Sequence, residues 1–121
     1  MEYLNRVYEE EIRKLYVYAK KCFREVGFDA WINILNYWKS VLMFYRFMIP
    51  PKIKERLKED YMKVSNLNFE FGFGVDDVDS NLAEKIEAIQ IFHEKIVDEL
   101  FREGYISIQP LKVIGENDGG N

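Results

Sequence analysis

Apolar residues recur at alternating steps of four and three in three long segments of the chain. Such steps place side chains along one face of an α-helix, whereas a strand would need steps of two. The sequence therefore predicts three long helices whose apolar faces pack together. The three stripes are Tyr8, Ile12, Leu15, Ala19, Cys22 and Val26; Trp31, Leu35, Trp38, Leu42, Tyr45 and Ile49; and Leu82, Ile86, Ile89, His93, Ile96 and Leu100.

The residues between these stripes supply helix boundaries. Gly27 is suited to ending the first helix and Asp29 to capping the second, and so short a connection favours antiparallel neighbours. Pro50 and Pro51 end the second helix, and Pro51 can begin a short third helix that extends to about Val64. One side of this short helix is apolar: Ile53, Leu57, Tyr61 and Val64.

Two segments alternate in the manner of a strand instead. Apolar and polar or glycine residues alternate over residues 67–73, and residues 105–109 also read as extended. Between them, Asn81 and Glu84 resemble a capping box for the last long helix, which Gly104 ends. The expected fold is mainly α, an antiparallel helical bundle of three long helices plus one short helix, with a small two-stranded β element. We expect one domain over residues 1–114 and a disordered tail over 115–121.

The second predicted helix has an additional apolar face, away from its main stripe. Met43, Phe44, Phe47 and Met48 lie there when successive residues are placed 100° apart. The short helix and the Phe-rich segment could cover this face within the molecule. Alternatively, the face forms an interface with a protein partner or with a second copy of the chain, and these four residues are then the candidate contacts.

Charge is distributed unevenly around a net value of −4. Residues 39–63 contain seven basic and three acidic residues, and residues 64–104 contain three basic and ten acidic residues. This asymmetry could join helices within one molecule or join two molecules. Nucleic-acid contacts by the basic short helix are an alternative, although the acidic net charge argues against them. Those candidate contacts are Lys52, Lys54, Arg56, Lys58 and Lys63.

Candidate catalytic side chains are few. His93, the single histidine, lies in the middle of an apolar stripe, where we expect a core residue hydrogen-bonded to a tyrosine. The alternative is a ligand-binding or enzymatic cavity near His93, with Tyr8 or Tyr45 beside it. Cys22, the single cysteine, also lies on a stripe, where a thiol is normally inert. We therefore predict no catalytic residues and a protein that is not an enzyme.

Metal and cofactor signatures also fail at their most specific positions. A di-iron bundle would need glutamate three residues before His93, where the chain has Gln90. A calcium loop beginning at Asp77 would need glycine and glutamate where Leu82 and Ala88 stand. The sequence predicts no metal ligands and no cofactor.

Composition suggests a setting for the protein. A single cysteine and no secretory signal indicate a reducing, cytoplasmic environment. Polar and charged residues interrupt residues 31–49, which argues against a membrane span. Lysine and glutamate total 25, glutamine and histidine total 3, and threonine is absent, a bias that resembles heat-adapted proteins.

These observations lead to three functional hypotheses. The first is a non-enzymatic protein–protein interaction or assembly module: an adaptor, a regulator or a subunit of a larger complex. An accessory protein of a thermophilic mobile element or virus would fit that description. The alternatives are a nucleic-acid-binding regulator that uses the basic short helix, and a small-ligand binder or enzyme with a cavity near His93.

Overall fold

The computed structural model describes residues 2–22, 27–68 and 82–107, and these residues are mostly helical. A helical bundle is therefore confirmed, and no strand occurs within these three ranges. The helices are α1 (Glu2–Lys21), α2 (Gly27–Met48), α3 (Pro51–Arg56), α4 (Lys58–Ser65) and α5 (Leu82–Arg102).

Contacts between helix ends define an up-down-up-down arrangement. The Tyr8 hydroxyl, near the start of α1, donates a hydrogen bond to the carbonyl oxygen of Met48 at the end of α2 (2.7 Å). Its ring packs edge-on against Tyr105, which follows α5. The Trp38 indole N–H donates to the carbonyl oxygen of Val64 near the end of α4 (2.8 Å). Thus α1 is antiparallel to α2 and α5, and α3 and α4 run back along α2.

The predicted stripes form the core. Every described member of the first and third stripes is buried except the half-buried Tyr8 and Leu82, and Val26 lies outside the described residues. In the second stripe, Leu42, Tyr45 and Ile49 are buried. The buried surface of α2 is wider than that stripe, because it also includes Ile34, Tyr37, Val41 and Phe44.

The predicted short helix is divided in two at Leu57. The Leu57 N–H bonds to the carbonyl oxygens of both Ile53 (3.1 Å) and Lys54 (3.2 Å), and its φ and ψ of −105° and 11° depart from helical values. Pro50 and Pro51 separate α2 from α3 as the sequence predicts. The apolar side is preserved across the division, because Ile53, Leu57 and Val64 are buried.

The uneven charge joins helices within one molecule. Arg56 of α3 contacts Glu99 (2.9 Å) and Glu103 (2.8 Å) on the α5 side. One turn later along the same face, Asp60 of α4 contacts Lys95 (3.0 Å). The hydrogen bond from Arg56 lowers the pKa of Glu103. The Arg56 pairs thus join the basic middle of the chain to the acidic second half, whereas the Asp60–Lys95 pair has the opposite sense. All three pairs lie at the surface, where an ion pair adds only about 0–1 kcal/mol to the antiparallel packing of α3 and α4 on α5.

Gly27 and Gly104 were each predicted to end a helix, and only Gly104 does so. Gly27 is the first residue of α2 and does not end α1, which ends at Lys21, so Asp29 lies inside α2 and not at its cap. Gly104 does end α5, with a positive φ of 83° that a residue with a side chain rarely adopts. The N–H of Tyr105 then bonds to the carbonyl oxygen of Leu100 (2.9 Å), as in a Schellman motif. The predicted cap at residue 81 lies outside the described residues.

The predicted two-stranded element is not supported. Residues 105–107, the described part of the second extended segment, pack on α1 instead of pairing with a strand. The Ile106 side chain is buried, and the N–H and hydroxyl of Ser107 both donate to the Glu9 carboxylate (3.1 and 3.0 Å). Residues 69–73 and 108–109 of the two segments lie outside the described residues, as does the predicted tail over 115–121.

The buried face of α5 can be tested with one pair of variants. Ile89→Ala should lower the free energy of unfolding by about 2–5 kcal/mol, because the side chain is fully buried and its loss leaves a cavity. Ile91→Ala, on the exposed side of the same helix, should cost about 1 kcal/mol or less. Urea unfolding measures both values, and equal losses would contradict this orientation of α5.

Candidate functional site

The outward side of α2 exposes large apolar side chains. Phe47 is 75% exposed, which is the highest value for a large hydrophobic residue in the described part of the chain, and Met43 is 54% exposed. Ile32 is also exposed, nearer the start of the helix. Burying apolar area is worth about 25 cal/mol per Å². A contact that covered Met43 and Phe47 would therefore be favourable.

Beside these two residues, a groove of about 360 Å³ runs between α1 and α2. A cavity of about 150 Å³ can hold a benzene ring, so the groove has room for about two groups of that size. Its polar residues are Glu11, Lys14 and Ser40, and Tyr18 adds a hydroxyl group. Its remaining walls are largely apolar: Leu15, Tyr18, Met43, Phe44, Phe47 and Met48.

All four residues of the predicted apolar face line this groove, but they are not equally exposed. Phe44 is only 5% exposed, because it turns toward α1, where Tyr8 packs edge-on against its ring at 6.4 Å. Phe44 is therefore a core residue and not part of an open surface, which corrects the sequence prediction. Met48 is half-buried.

The wall contributed by α1 was missed by the sequence analysis. Leu15 belongs to the predicted core stripe of the first helix. Tyr18 is not a member of that stripe, but it directly precedes Ala19, which is. The antiparallel α1–α2 pairing brings both residues to the groove. Two of its polar residues, Glu11 and Lys14, form an exposed ion pair with each other (3.2 Å).

His93 is fully buried at the junction of three helices. Its Nδ1 is 2.8 Å from the Tyr37 hydroxyl of α2, and the Tyr16 ring of α1 lies 4.8 Å from its ring. The predicted tyrosine partner of His93 is therefore Tyr37. Tyr8 and Tyr45, which the sequence suggested as residues near a ligand cavity at His93, donate instead to the backbone carbonyls of Met48 and Lys54. Burial lowers the pKa of His93 to about 3, so its ring is uncharged at neutral pH.

Cys22 is likewise enclosed. Its thiol donates to the carbonyl oxygen of Tyr18 (3.4 Å), and burial raises its pKa to about 12. A thiol with this pKa stays protonated at neutral pH and is a poor nucleophile. Among the described residues, no group of three or more His, Cys, Asp or Glu side chains could hold a metal ion.

Three of the five candidate nucleic-acid contacts are engaged within the chain. Arg56 and Lys52 pair with acids near the end of α5, and the Lys54 ammonium donates to the carbonyl oxygen of Arg46. Lys58 and Lys63 make no ion pair with another described residue. Phosphate binding by this segment would therefore compete with contacts that hold α3 against the rest of the bundle.

None of the described helices combines the length and the apolarity needed to cross a bilayer. Comparisons with protein-family models, with curated proteins and with solved structures give no match to this chain. The site is therefore interpreted from its own geometry.

The buried state of His93 predicts a pH dependence. In the unfolded chain His93 takes up a proton near pH 6.5, whereas in the fold it does so only near pH 3. The unfolded state binds more protons between these values, so stability is lost as the pH falls below 6.5. The contribution is up to about 1.4 kcal/mol per pH unit.

His93→Gln removes this titration, so its free energy of unfolding should fall less steeply with decreasing pH than that of the natural protein. Urea unfolding at several pH values between about 7 and 4 measures both slopes. Parallel curves would show that His93 titrates equally in the two states and is not buried.

Proposed function

We propose that this protein is a non-enzymatic protein–protein interaction or assembly module, and that it receives apolar side chains of a partner in the α1–α2 groove. The observation that carries the proposal is the position of Phe47 and Met43, both largely exposed, beside a mainly apolar groove of about 360 Å³. The two groups with catalytic potential, His93 and Cys22, are buried and uncharged.

An amphipathic helix is the partner element that this groove fits best. Two packed helices present a channel along their length into which the side chains of a third helix insert at steps of three or four residues. Met43 and Met48 provide flexible side chains that can adapt to different apolar groups. Room for about two ring-sized groups corresponds to two anchors, one turn apart.

The amount of exposed apolar surface favours an adaptor or regulator over a permanent subunit. A stable interface buries about 800 Å² on each partner. A single phenylalanine buries about 150–250 Å² even when it becomes fully covered. Met43 and Phe47 together fall short of that requirement, so we expect a reversible contact centred on a few anchors.

The test uses two methionines that differ in position but hardly in exposure. Met43 lines the groove and is 54% exposed, whereas Met62 lies on α4, away from the groove, and is 50% exposed. Helical peptides would be selected from a displayed library against the full chain. Met43→Glu should weaken their binding at least about tenfold, because a carboxylate in the groove must lose water, and Met62→Glu should leave it unchanged.

Methyl-labelled methionine gives a second measurement on the natural protein. A selected peptide should shift the NMR signals of Met43 and Met48 and leave that of Met62 in place. Circular dichroism checks that both glutamate variants remain helical. Failure to select any peptide, equal weakening by the two variants, or shifts confined to Met62 would each contradict the groove as the binding site.

A further inference from the structure

The buried face of α5 contains two polar side chains whose hydrogen bonds are incomplete. Gln90 is 2% exposed and His93 is 0% exposed, and the Nε2 atom of each has no hydrogen-bond partner among the residues that the structure describes. Residues three apart on a helix are neighbours on one face. Buried polar atoms in folded proteins are nearly always paired, either with protein groups or with water.

The hydrogen bond from Tyr37 determines what His93 can offer. The uncharged ring has one N–H, and it is either Nδ1 or Nε2. If Nδ1 carried the hydrogen and donated to Tyr37, the Tyr37 hydroxyl hydrogen would itself lack an acceptor in the described structure. If Tyr37 donates to Nδ1 (2.8 Å), its hydroxyl is satisfied and the hydrogen of His93 lies on Nε2. The second arrangement leaves fewer unpaired groups.

His93 Nε2 and Gln90 Nε2 are then both donors, one helical turn apart, inside the bundle. We infer that they bind one buried water molecule, whose oxygen accepts a hydrogen bond from each. An oxygen with two lone pairs matches two donors, and two to four polar partners are usual for internal water. The site is separate from the α1–α2 groove, so it does not depend on the proposed function.

A neutral ligand fits this position better than an anion. Burial is the main cause of the raised pKa of Tyr37, and the charges of Cys22 and then of Glu94 add to it. The negative charge of Glu94 also opposes a chloride or carboxylate near His93. The Tyr16 ring packs against His93, with 4.8 Å between the ring centres, so any ligand beside His93 must be small.

The natural protein in solution provides the first test. Long-range proton–nitrogen NMR spectra should show hydrogen on Nε2 of His93 and none on Nδ1. The Nε2 proton and the Gln90 amide protons should each give a cross-peak to a long-lived water molecule. Hydrogen on Nδ1, or the absence of both water cross-peaks, would overturn the inference.

A matched pair of variants on α5 provides the second test. Gln90→Leu removes one donor, so the water cross-peak at His93 should disappear while the hydrogen stays on Nε2, because Tyr37 still holds Nδ1. Glu87→Leu makes the same kind of change at an exposed position one turn earlier and should leave the cross-peak intact. An unchanged cross-peak in Gln90→Leu would contradict a shared water molecule.

A high-resolution crystal structure of the natural protein identifies the ligand directly, and it decides the question even if Gln90→Leu does not fold. Water density within hydrogen-bond distance of both Nε2 atoms is expected. Crystals soaked in bromide should show no anomalous peak there. A bromide peak would show that the site binds an anion and not water. The absence of electron density between the two residues would show that no ligand is bound, and either result would overturn the inference.

Discussion

The fold depends on burying α2, because this helix is apolar on more sides than one neighbour can cover. Tyr37 meets α5 through His93, Tyr45 stacks on Tyr61 of α4 at 4.4 Å, and Phe44 packs against Tyr8 of α1. Three partners leave one side of α2 without cover from the described chain. The exposed residues and the groove lie on that side, so the candidate site is a direct result of placing the most apolar helix at the centre of a small bundle.

Aromatic side chains do a second task in this arrangement beyond filling the core. Tyr8, Trp38 and Tyr45 each donate a hydrogen bond to a backbone carbonyl of another helix. The three acceptors, Met48, Lys54 and Val64, all lie in the last turn of a helix, where carbonyl oxygens lack the usual donor four residues ahead. The oxygens of Lys54 and Val64 also accept from the N–H groups of Leu57 and Leu67 (both 3.2 Å). The high aromatic content of the chain is thereby explained in part by inter-helix contacts that also cap helix ends.

The helices and the core faces could be predicted because they depend on local periodicity, and the proline boundaries were correct for the same reason. The division at Leu57 could not, since no proline or glycine marks it. Nor could the burial of Phe44 or the choice of Tyr16 and Tyr37 as neighbours of His93, because these depend on how separate helices pack. The α2 wall of the groove could be predicted, because its residues form a second apolar face in the sequence. The α1 wall could not, because it depends on how α1 and α2 are aligned in their antiparallel pairing.

The bond between Glu9 and Ser107 joins positions 98 residues apart in the chain, whereas successive helices of the bundle are neighbours in sequence. Closing a long loop costs more chain entropy than closing a short one, and contacts distant in sequence slow folding. The helical hairpins can therefore form early, while the attachment of residues 105–107 to α1 belongs to the final stage. During synthesis on the ribosome, α1 emerges long before residues 105–107, so the bonds between Glu9 and Ser107 form only once that segment has emerged.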